Sequence, residues 1–507
     1  MPDPRVARSV KAVGDVLVRY AQTYVPKPVV REEGRVTSVQ DGVLHIEHLP
    51  SAGMHELLEV GARGTAMVLG LSPRAVEAVA VDGIEHLVEG ATVRPAGRAP
   101  SVAVGDVLLG RVIDPLGHPL DGTPLDVPAT RVPLERRAPH IYERSRVHRP
   151  LFTGTLAIDA MLPIGRGQRE LVVGDEGTGK TALALDALLR QRDTDVIGVY
   201  VAVGRRRAEV RQVTEALAAG GGRWCVVAAP EDSSPTLRYL APYAGTAVAE
   251  HFTYRGEHTL VVYDDLSAHA VAWRELSLLL RRPPGREAYP GDIFYLHARL
   301  LERAAQLSND LGGGSLTALP LATLEGGRLT AYIPTNLISI TDGQIVLSQS
   351  LFAAGQRPAI DIGLSVSRVG AKAQPQAMRS LAARMKLDYA AFLELESFAR
   401  IGTQLDSDTE RRLALGRRVR RLMRGRRLEP LSSFDEVVRL VLAGLDDTLL
   451  TLDEHDLEDF VAEVTPRLRT EHAATADRVE RDGVLGAEAR TALATRITAW
   501  ATARERE

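Results

Sequence analysis

Eight consecutive residues have the types and spacing of a phosphate-binding loop. Residues 174–181 match the pattern G-x-x-x-x-G-K-[ST] in full, after the apolar run 171–173 and before the helix-forming run 182–190. Glycines let successive backbone N–H groups turn toward a phosphate at the helix N-terminus, where the helix dipole favours negative charge. The nucleotide-binding residues that this pattern predicts are Gly174, Asp175, Glu176, Gly177, Thr178, Gly179, Lys180 and Thr181.

The end of this loop and a carboxylate further along the chain predict a metal–nucleotide site. In loops of this kind the lysine reaches the β and γ phosphates and the next hydroxyl ligates Mg²⁺, which assigns these roles to Lys180 and Thr181. Residues 260–264 are typical of a buried strand that ends in a carboxylate at the C-terminal edge of a sheet. Asp264 is therefore predicted to orient the same ion, directly or through water. The predicted ligands are ATP or ADP with Mg²⁺.

The composition limits the kinds of protein that this chain can be. Its 507 residues suffice for about three domains of common size. The 62 basic and 65 acidic residues give a formal charge of -3, which implies no global attraction to nucleic acid or anionic lipid. The single cysteine, Cys225, excludes an intrachain disulfide framework and is predicted to be a core thiol. No apolar run reaches the roughly 18 residues that a membrane span needs, and charges interrupt the N-terminal segment, so we expect a soluble chain without a signal peptide.

The first part of the chain is predicted to form a helix and then a β domain. Residues 5–20 have apolar side chains at helical spacing, and a proline-containing linker follows, so a helix and linker are expected over 1–28. The helix could pack on its own domain or dock on another subunit. Residues 29–97 contain short β-type runs, two of them joined through Asp41 and Gly42, a strong hairpin signal. This region is predicted to be a small β-barrel.

The remainder divides into an α/β domain and a helical domain. Over 98–376, apolar strand-like runs alternate with helical stretches, which predicts a largely parallel sheet. The strand predictions are 170–173, 196–203, 224–228 and 259–263. Over 377–507 the strands stop, and an all-helical domain is expected. Its first helix carries a stripe formed by Leu381, Met385, Tyr389 and Phe392, and Ser433 with Glu436 has the spacing of a capping box that opens a later helix.

Several longer blocks resemble one protein family in register. These blocks are residues 163–170, 263–267, 281–292, 339–344 and 363–370. They closely resemble the α subunits of rotary F-type ATP synthases, and the resemblance runs from about residue 30 to about residue 445. It implies a multidomain α/β fold with an N-terminal β-barrel, a central RecA-like P-loop domain and a C-terminal helical bundle.

The same resemblance implies a place in a membrane-associated complex. The expected partners are the catalytic β subunit in an alternating hexamer, the central γ shaft, and the peripheral stalk through the N-terminal helix. The membrane would be contacted only indirectly, at the cytoplasmic face of the bacterial cell membrane. The transported ion could be a proton or sodium, because the ion site lies in another subunit.

One position indicates that the pocket binds nucleotide without hydrolysing it. In this family the catalytic β subunit has Gly-Glu-Arg after the strand that follows the loop helix, whereas α has Gly-Gln-Lys-Arg. Here residues 204–207 are Gly-Arg-Arg-Arg. Arg205 cannot accept a proton from water because a guanidinium is always charged at neutral pH. Glu176 is a rival base, but it lies within the loop that must surround the phosphates.

Arg368 matches the arginine finger of the family. A guanidinium inserted across a subunit interface offsets charge on the transferring phosphoryl group of the neighbouring β subunit. The alternative is a structural arginine on a loop.

The chain also departs from the usual α pattern. Glu176 and Gly177 replace the Arg and Gln of the family loop, and a carboxylate beside a polyphosphate is unfavourable unless it turns to solvent. We therefore expect weaker nucleotide retention. Residues 423–426, Met-Arg-Gly-Arg, replace the adenine-side Lys-Gln-Gly-Gln, so stacking by Arg424 and Arg426 would replace amide hydrogen bonds. These departures suggest a diverged copy of the subunit, such as one from an alternative operon.

Residues 417–427 are rich in arginine but contain no aromatic side chain for base stacking, so no nucleic-acid partner is expected and the stretch is predicted to be solvated or to face the nucleotide.

One alternative function is a homohexameric ATPase motor of the secretion-ATPase or Rho type, which would need a carboxylate at Arg205. The other is a structural subunit that binds no nucleotide, against which Lys180 and Thr181 argue.

Overall fold

Three regions follow one another along the chain. The computed structural model describes residues 32–83, 86–125, 130–399 and 406–505, so the helix predicted within residues 1–28 lies outside the described residues. An antiparallel barrel, an α/β domain and a helical region follow in that order, as the sequence predicts. No helix within the described ranges is long and apolar enough to cross a membrane.

The first region is a closed six-stranded barrel. Its strands are β1 (Gly34–Gln40), β2 (Val43–Glu47), β3 (Leu57–Val60), β4 (Gly64–Leu71), β5 (Val76–Asp82) and β6 (Thr92–Pro95). They pair antiparallel in the order β1-β2-β5-β4-β3-β6, and β6 closes on β1. Asp41 and Gly42 form the turn between β1 and β2, with φ of 52° and 81°. Positive φ at both positions is what a two-residue type I′ hairpin turn requires, and β1 and β2 pair antiparallel on either side of it, so the predicted hairpin is confirmed.

The second region is built on a mainly parallel sheet. Its strands are β7 (Ser101–Val104), β8 (Val112–Ile113), β9 (Thr130–Pro133), β10 (Pro150–Leu151), β11 (Ile164–Gly165), β12 (Leu171–Asp175), β13 (Val196–Val203), β14 (Trp224–Ala229), β15 (His258–Asp264), β16 (Ala305–Gln306), β17 (Ser315–Leu324), β18 (Gly343–Leu347) and β19 (Val366–Ser367). The main sheet has the order β19-β18-β12-β17-β15-β13-β14-β8, and β16 pairs with β17. All strands from β18 to β8 in this order run parallel, while β19 is an antiparallel edge strand.

Helices cover both faces of this sheet. They are α1 (Lys180–Leu189), α2 (Arg207–Gly220), α3 (Pro235–Thr253), α4 (Leu266–Leu279), α5 (Ile293–Leu301), α6 (Tyr332–Ile340) and α7 (Gln349–Ala353). Alternate residues of the central strands enter two different cores, because successive side chains of a strand point to opposite faces. Val172 packs in the core that continues into the C-terminal helices, and Val173 packs in the core under α3 and α4. Cys225 is fully buried in the second core, as predicted.

The third region consists of helices α8 (Gln376–Ala399), α9 (Ser407–Leu422), α10 (Ser433–Ala443), α11 (Asp446–Thr451), α12 (Leu457–Glu471), α13 (Ala473–Asp482) and α14 (Ala487–Glu505). The apolar stripe predicted on the first of these helices is buried, which confirms that prediction. The predicted capping box is wrong by one residue. Ser432 caps α10, and its partner is Asp435, whereas Ser433 and Glu436 are buried. Tertiary packing decides between the two adjacent serines, since either could start the helix.

Candidate functional site

The predicted loop joins β12 to α1 and forms a cradle of backbone N–H groups. Gly177 and Gly179 have φ of 77° and 101°, a conformation that side-chain-bearing residues rarely adopt. Gly174 is required for space, because a Cβ there would lie 2.8 Å from Leu347 Cβ. Thr178 Oγ1 donates to the carbonyl oxygen of Asp175 at 2.7 Å and fixes the turn. The positive end of α1 therefore faces an ordered concavity suited to an anion.

The loop lysine lies against the loop itself. Lys180 is buried, and its Nζ donates to the carbonyl oxygens of Gly174 and Asp175, both at 2.9 Å. Burial lowers the pKa of this ammonium. Glu176, in contrast, is exposed, which is the orientation that the sequence requires for an acidic residue in such a loop.

Asp264 lies at the carboxyl end of β15, next to the loop. It is fully buried, and its Oδ2 accepts hydrogen bonds from Thr181 Oγ1 and from the Tyr200 hydroxyl, both at 2.7 Å. The parallel sheet explains this meeting, because strands β12, β13 and β15 all end at the same edge. The structure thus brings the two predicted metal-ligating residues into direct contact.

Arg205 completes this cluster. It follows β13 and Gly204, and its Nε donates to Asp264 Oδ1 at 2.8 Å while its Nη2 also contacts that oxygen. Its Nη2 lies 3.5 Å from Thr181 Oγ1 and 3.9 Å from Asp265 Oδ2. Burial opposes the charge, but the two carboxylates raise the pKa of Arg205. The sequence identified Arg205 as unable to act as a base but did not predict its ion pair. The pair depends on the parallel register of β13 and β15, which places Ala202 opposite Asp264 and which no sequence pattern indicates.

The side-chain oxygens of this cluster are of the type that Mg²⁺ prefers, but they are already engaged in other contacts. Mg²⁺ prefers hard oxygen ligands, which Thr181 and Asp264 provide. Both oxygens of Asp264 are hydrogen-bonded, however, and the Arg205 guanidinium lies on the same carboxylate. Among the described residues, no group of three or more His, Cys, Asp or Glu side chains could hold a metal ion by itself.

A cavity of about 360 Å³ opens beside the loop. Its lining includes Gly177, Gly179, Asp186 and the segment 423–427, so it joins the loop to the region predicted to face adenine. Asp186 accepts a hydrogen bond from the Leu428 backbone N–H at 2.7 Å, and burial raises its pKa to about 6. This carboxylate was not predicted, although its position on the loop helix marked it as a neighbour of the site.

The two arginines predicted at this pocket differ in their surroundings. Arg424 Nη1 donates to Glu458 Oε1 at 2.9 Å and its Nη2 contacts the Gly355 carbonyl oxygen, so it is held at the wall. Arg426 is exposed and forms an ion pair with Glu429 at 3.8 Å. An unpredicted pair also lines the cavity: the Arg357 guanidinium carbon lies 3.5 Å above the centre of the Phe352 ring.

The basic stretch that contains Arg424 is largely paired within the chain. Its ion pairs are Arg417–Glu454, Arg420–Glu396, Arg421–Glu458 and Arg424–Glu458. Glu454 and Glu458 belong to the acidic run 453–459. The stretch is therefore partly neutralised by an acidic neighbour instead of being simply solvated.

Arg368 does not approach its own phosphate loop. It is exposed directly after edge strand β19, where its Nη1 donates to the Thr341 carbonyl oxygen at 3.2 Å. The register pairs Ser367 with Gly343, and Gln344 with Leu171 at the start of β12. The loop begins at Gly174, near the other end of β12, about 10 Å further along at ~3.3 Å per residue. Arg368 and the loop therefore occupy opposite ends of the sheet.

A parallel sheet with this loop at its carboxyl edge defines a P-loop nucleotide-binding domain. Comparisons with known proteins identify the family to which this domain belongs. A family described as "ATP synthase alpha/beta family, nucleotide-binding domain" matches residues 154–367. A family described as "ATP synthase alpha/beta chain, C terminal domain" matches residues 374–500. The chain therefore belongs to the ATP synthase alpha/beta family.

Individual relatives place the chain with the alpha subunits of that family. It is 51% identical to ATP synthase subunit alpha 2 of Cereibacter sphaeroides over 434 residues, 85% of this chain and 86% of that protein. It is 51% identical to ATP synthase subunit alpha 1 of Paraburkholderia xenovorans over 417 residues, 82% of each chain. It is 52% identical to ATP synthase subunit alpha 2 of Burkholderia thailandensis over 427 residues, 83% of this chain and 77% of that protein. The resemblance stated from the sequence is thereby confirmed.

Proposed function

We propose that this chain is the nucleotide-binding but non-hydrolytic α subunit of a rotary ATP synthase that transports protons or sodium ions. The observation that carries the proposal is the pairing of Arg205 with Asp264. Hydrolysis requires a group near the γ phosphate that orients and deprotonates water. A guanidinium has no lone pair to accept that proton, and its charge is further stabilised here by two carboxylates.

The proposed ligand is ATP or ADP. Residues 174–181 would bind the phosphates, and the cavity between the loop and residues 423–427 would take the base, with Arg424 and Arg426 at its wall. Thr181 and Asp264 are the Mg²⁺ ligands that the sequence predicts, but the Arg205 guanidinium already lies on the Asp264 carboxylate. The continuity of the loop with a cavity of about 360 Å³ supports this assignment, because a nucleotide needs both a phosphate cradle and an apolar slot.

Arg368 is proposed to serve the catalytic pocket of the neighbouring β subunit. Two observations support a role in trans: the side chain is exposed, and it lies at the opposite end of the sheet from its own loop. A guanidinium so placed is free to stabilise charge on a phosphoryl group bound to another chain.

The proposed assembly is an alternating hexamer with β around a central γ shaft. The N-terminal segment would dock on the peripheral stalk, and the complex would lie at the cytoplasmic face of the bacterial cell membrane. The names of the relatives as ATP synthase alpha subunits support this proposal.

Measurement of ATP turnover by the purified full-length chain tests the central statement. We expect almost no turnover from the chain alone and normal turnover once the β subunit of the same complex is added. Brisk turnover without β that survives Arg205→Ala but disappears in Glu176→Gln would contradict the proposal. That result would favour a self-sufficient ATPase motor, with Glu176 as its base.

A second experiment tests the role of Arg368. In the reconstituted complex, Arg368→Ala should reduce multisite ATP hydrolysis by about 10³ to 10⁵, the usual contribution of an arginine finger. Assembly and nucleotide occupancy of the α pocket should stay near normal. Lys372→Ala, which removes an exposed cation four residues away, is the matched control and should keep its activity. Full activity of Arg368→Ala would refute the assignment.

A further inference from the structure

The Arg205 guanidinium lies among the oxygen atoms that a nucleotide-bound metal ion would use. It is bonded to Asp264 through Nε at 2.8 Å, and its Nη2 is 3.5 Å from Thr181 Oγ1. These are the two residues expected to ligate Mg²⁺. The Arg205 side chain is 24% exposed while Asp264 is fully buried, so of this ion pair only Arg205 reaches solvent.

The remaining lone pairs of Asp264 are also engaged. Its Oδ2 accepts from Thr181 and from Tyr200, and its Oδ1 accepts from Arg205. The carboxylate charge is thus already balanced by a fixed cation. A hydrated Mg²⁺ placed here would gain little attraction from a neutralised Asp264. It would also be repelled by the guanidinium, and this repulsion is weakly screened because the site is partly buried.

The guanidinium can itself perform the charge role of the ion toward a phosphate. Arginine presents several N–H donors in a planar fork that matches phosphate oxygens. Nε and Nη2 contact Asp264, and the side chain remains partly exposed beside Thr181, the second residue of α1. Lys180 supplies another cation from the same helix turn. Two fixed cations would therefore flank the terminal phosphates.

We propose that Arg205 takes the place of Mg²⁺ in this pocket, so that nucleotide binding to this subunit does not depend on the metal ion. The inference rests on the proposed function, since it requires that residues 174–181 bind a nucleotide. It assigns to this one residue both the absence of a catalytic base and the metal independence of the site.

The test compares nucleotide affinity with and without Mg²⁺. The full-length chain is titrated with a ribose-labelled fluorescent ATP in excess Mg²⁺ and in excess EDTA. The measured quantity is the Kd in EDTA divided by the Kd in Mg²⁺. For the wild type we expect a ratio below about 3. Arg205→Gln should raise it to about 10 or more, because an ion must then supply a charge-assisted contact to phosphate that is lost in EDTA.

Two further variants control for charge and folding. Arg206→Gln removes the same charge at the neighbouring exposed position and should keep the wild-type ratio. Arg205→Lys retains a cation on Asp264, so its ratio should stay below that of Arg205→Gln even if the latter binds poorly. Circular dichroism and elution volume verify that each variant is folded.

Manganese provides a readout that does not depend on affinity. In electron paramagnetic resonance with Mn²⁺ in place of Mg²⁺, nucleotide-saturated wild type should hold less Mn²⁺ per site than nucleotide-saturated Arg205→Gln. The inference about Arg205 would be overturned if wild type and Arg205→Gln bound nucleotide tightly with the same Mg²⁺ dependence, or if the wild type held stoichiometric Mn²⁺. Either result would leave the proposed function intact. Absence of nucleotide binding under every condition would instead contradict the proposed function.

Discussion

A buried pair of carboxyl groups joins the α/β domain to the helical domain, and its single proton makes stability depend on pH. Asp159 lies in the short π-helical turn Ala157–Met161, and Glu436 lies on α10. Asp159 accepts hydrogen bonds from the backbone N–H groups of Thr153 and Gly154 and from the Thr153 hydroxyl, at 2.9 to 3.0 Å. Burial raises the pKa of both carboxyls. The donors to Asp159 favour its ionised form, so the shared proton rests on Glu436.

The surroundings of Glu436 show why this proton is retained. Its carboxyl oxygens are buried and have no donor from the described chain apart from this pairing. Burial first, and then the charge of Asp159, raises its pKa well above the ordinary value of 4.5, while the Arg190 guanidinium opposes the shift. The folded state therefore keeps a proton that the unfolded state releases above about pH 4.5.

The size of the effect follows from this count of protons. With one proton bound in the folded state and none in the unfolded state, the free energy of unfolding falls by about 1.4 kcal/mol per pH unit. The contribution is complete below the unfolded pKa and is lost as pH rises toward the folded pKa. Glu436→Gln keeps a donor to Asp159 but cannot titrate. Relative to wild type, it should gain stability as pH rises above about 4.5, by at most about 1.4 kcal/mol per pH unit, until the raised pKa of Glu436 is passed.

Urea unfolding at several pH values, followed by fluorescence and circular dichroism, measures this difference. The control is Glu471→Gln: the hydrogen bond from Arg496 lowers the pKa of Glu471, so its stabilising effect is lost only as pH falls below about 4.5. That variant should retain the wild-type slope between pH 5.5 and pH 7.5. Identical slopes for wild type and Glu436→Gln would refute the assignment of the proton.

Three further predictions concern packing and reactivity. Glu250→Ala should destabilise the chain by about 3 to 5 kcal/mol in urea unfolding, because it leaves Arg303, 2% exposed and paired at 2.6 Å, as a buried unpaired charge. Gly416→Ala should lower the unfolding midpoint despite its better helix propensity, since the added Cβ would lie 2.0 Å from the Phe392 ring; an unchanged midpoint would show that α8 and α9 separate easily. Cys225 should resist thiol reagents in the native chain at pH 8 and react only after unfolding, because burial raises its pKa to about 12, and rapid native labelling would contradict this.

Sequence patterns predicted the features that depend on residues adjacent in the sequence. The loop motif is contiguous, so its glycine geometry and its position between strand and helix could be predicted. The central strands were found because burial on both faces produces unbroken apolar runs. The strand predicted at 196–203 has those bounds in the structure. The predicted domain limits at residues 28, 97 and 376 stay predictions.

The contacts that the sequence could not predict join distant segments. The Arg205–Asp264 pair depends on the register of two parallel strands and on the turn after each. Asp186 lines the cavity beside the loop, where the backbone of Leu428 folds back onto α1 and donates to its carboxylate. The capping residue of α10 was misplaced by one position, since Ser432 and Ser433 offer the same local chemistry. Such choices are made by tertiary packing, which single-residue patterns do not encode.

Arg368 and the loop at residues 174–181 lie at opposite ends of the sheet, so its two ends differ in their chemistry. If the loop binds phosphate and Arg368 serves a neighbouring chain, as proposed, a neighbour that uses both must present a different surface at each contact. Such heterologous contacts cannot form a self-complementary pair. They repeat around an axis until the rotation closes a ring or, if it does not close, extend into a filament. In the proposed assembly, the angle between the sheets of adjacent subunits would therefore decide whether the ring closes and how many pockets one particle contains.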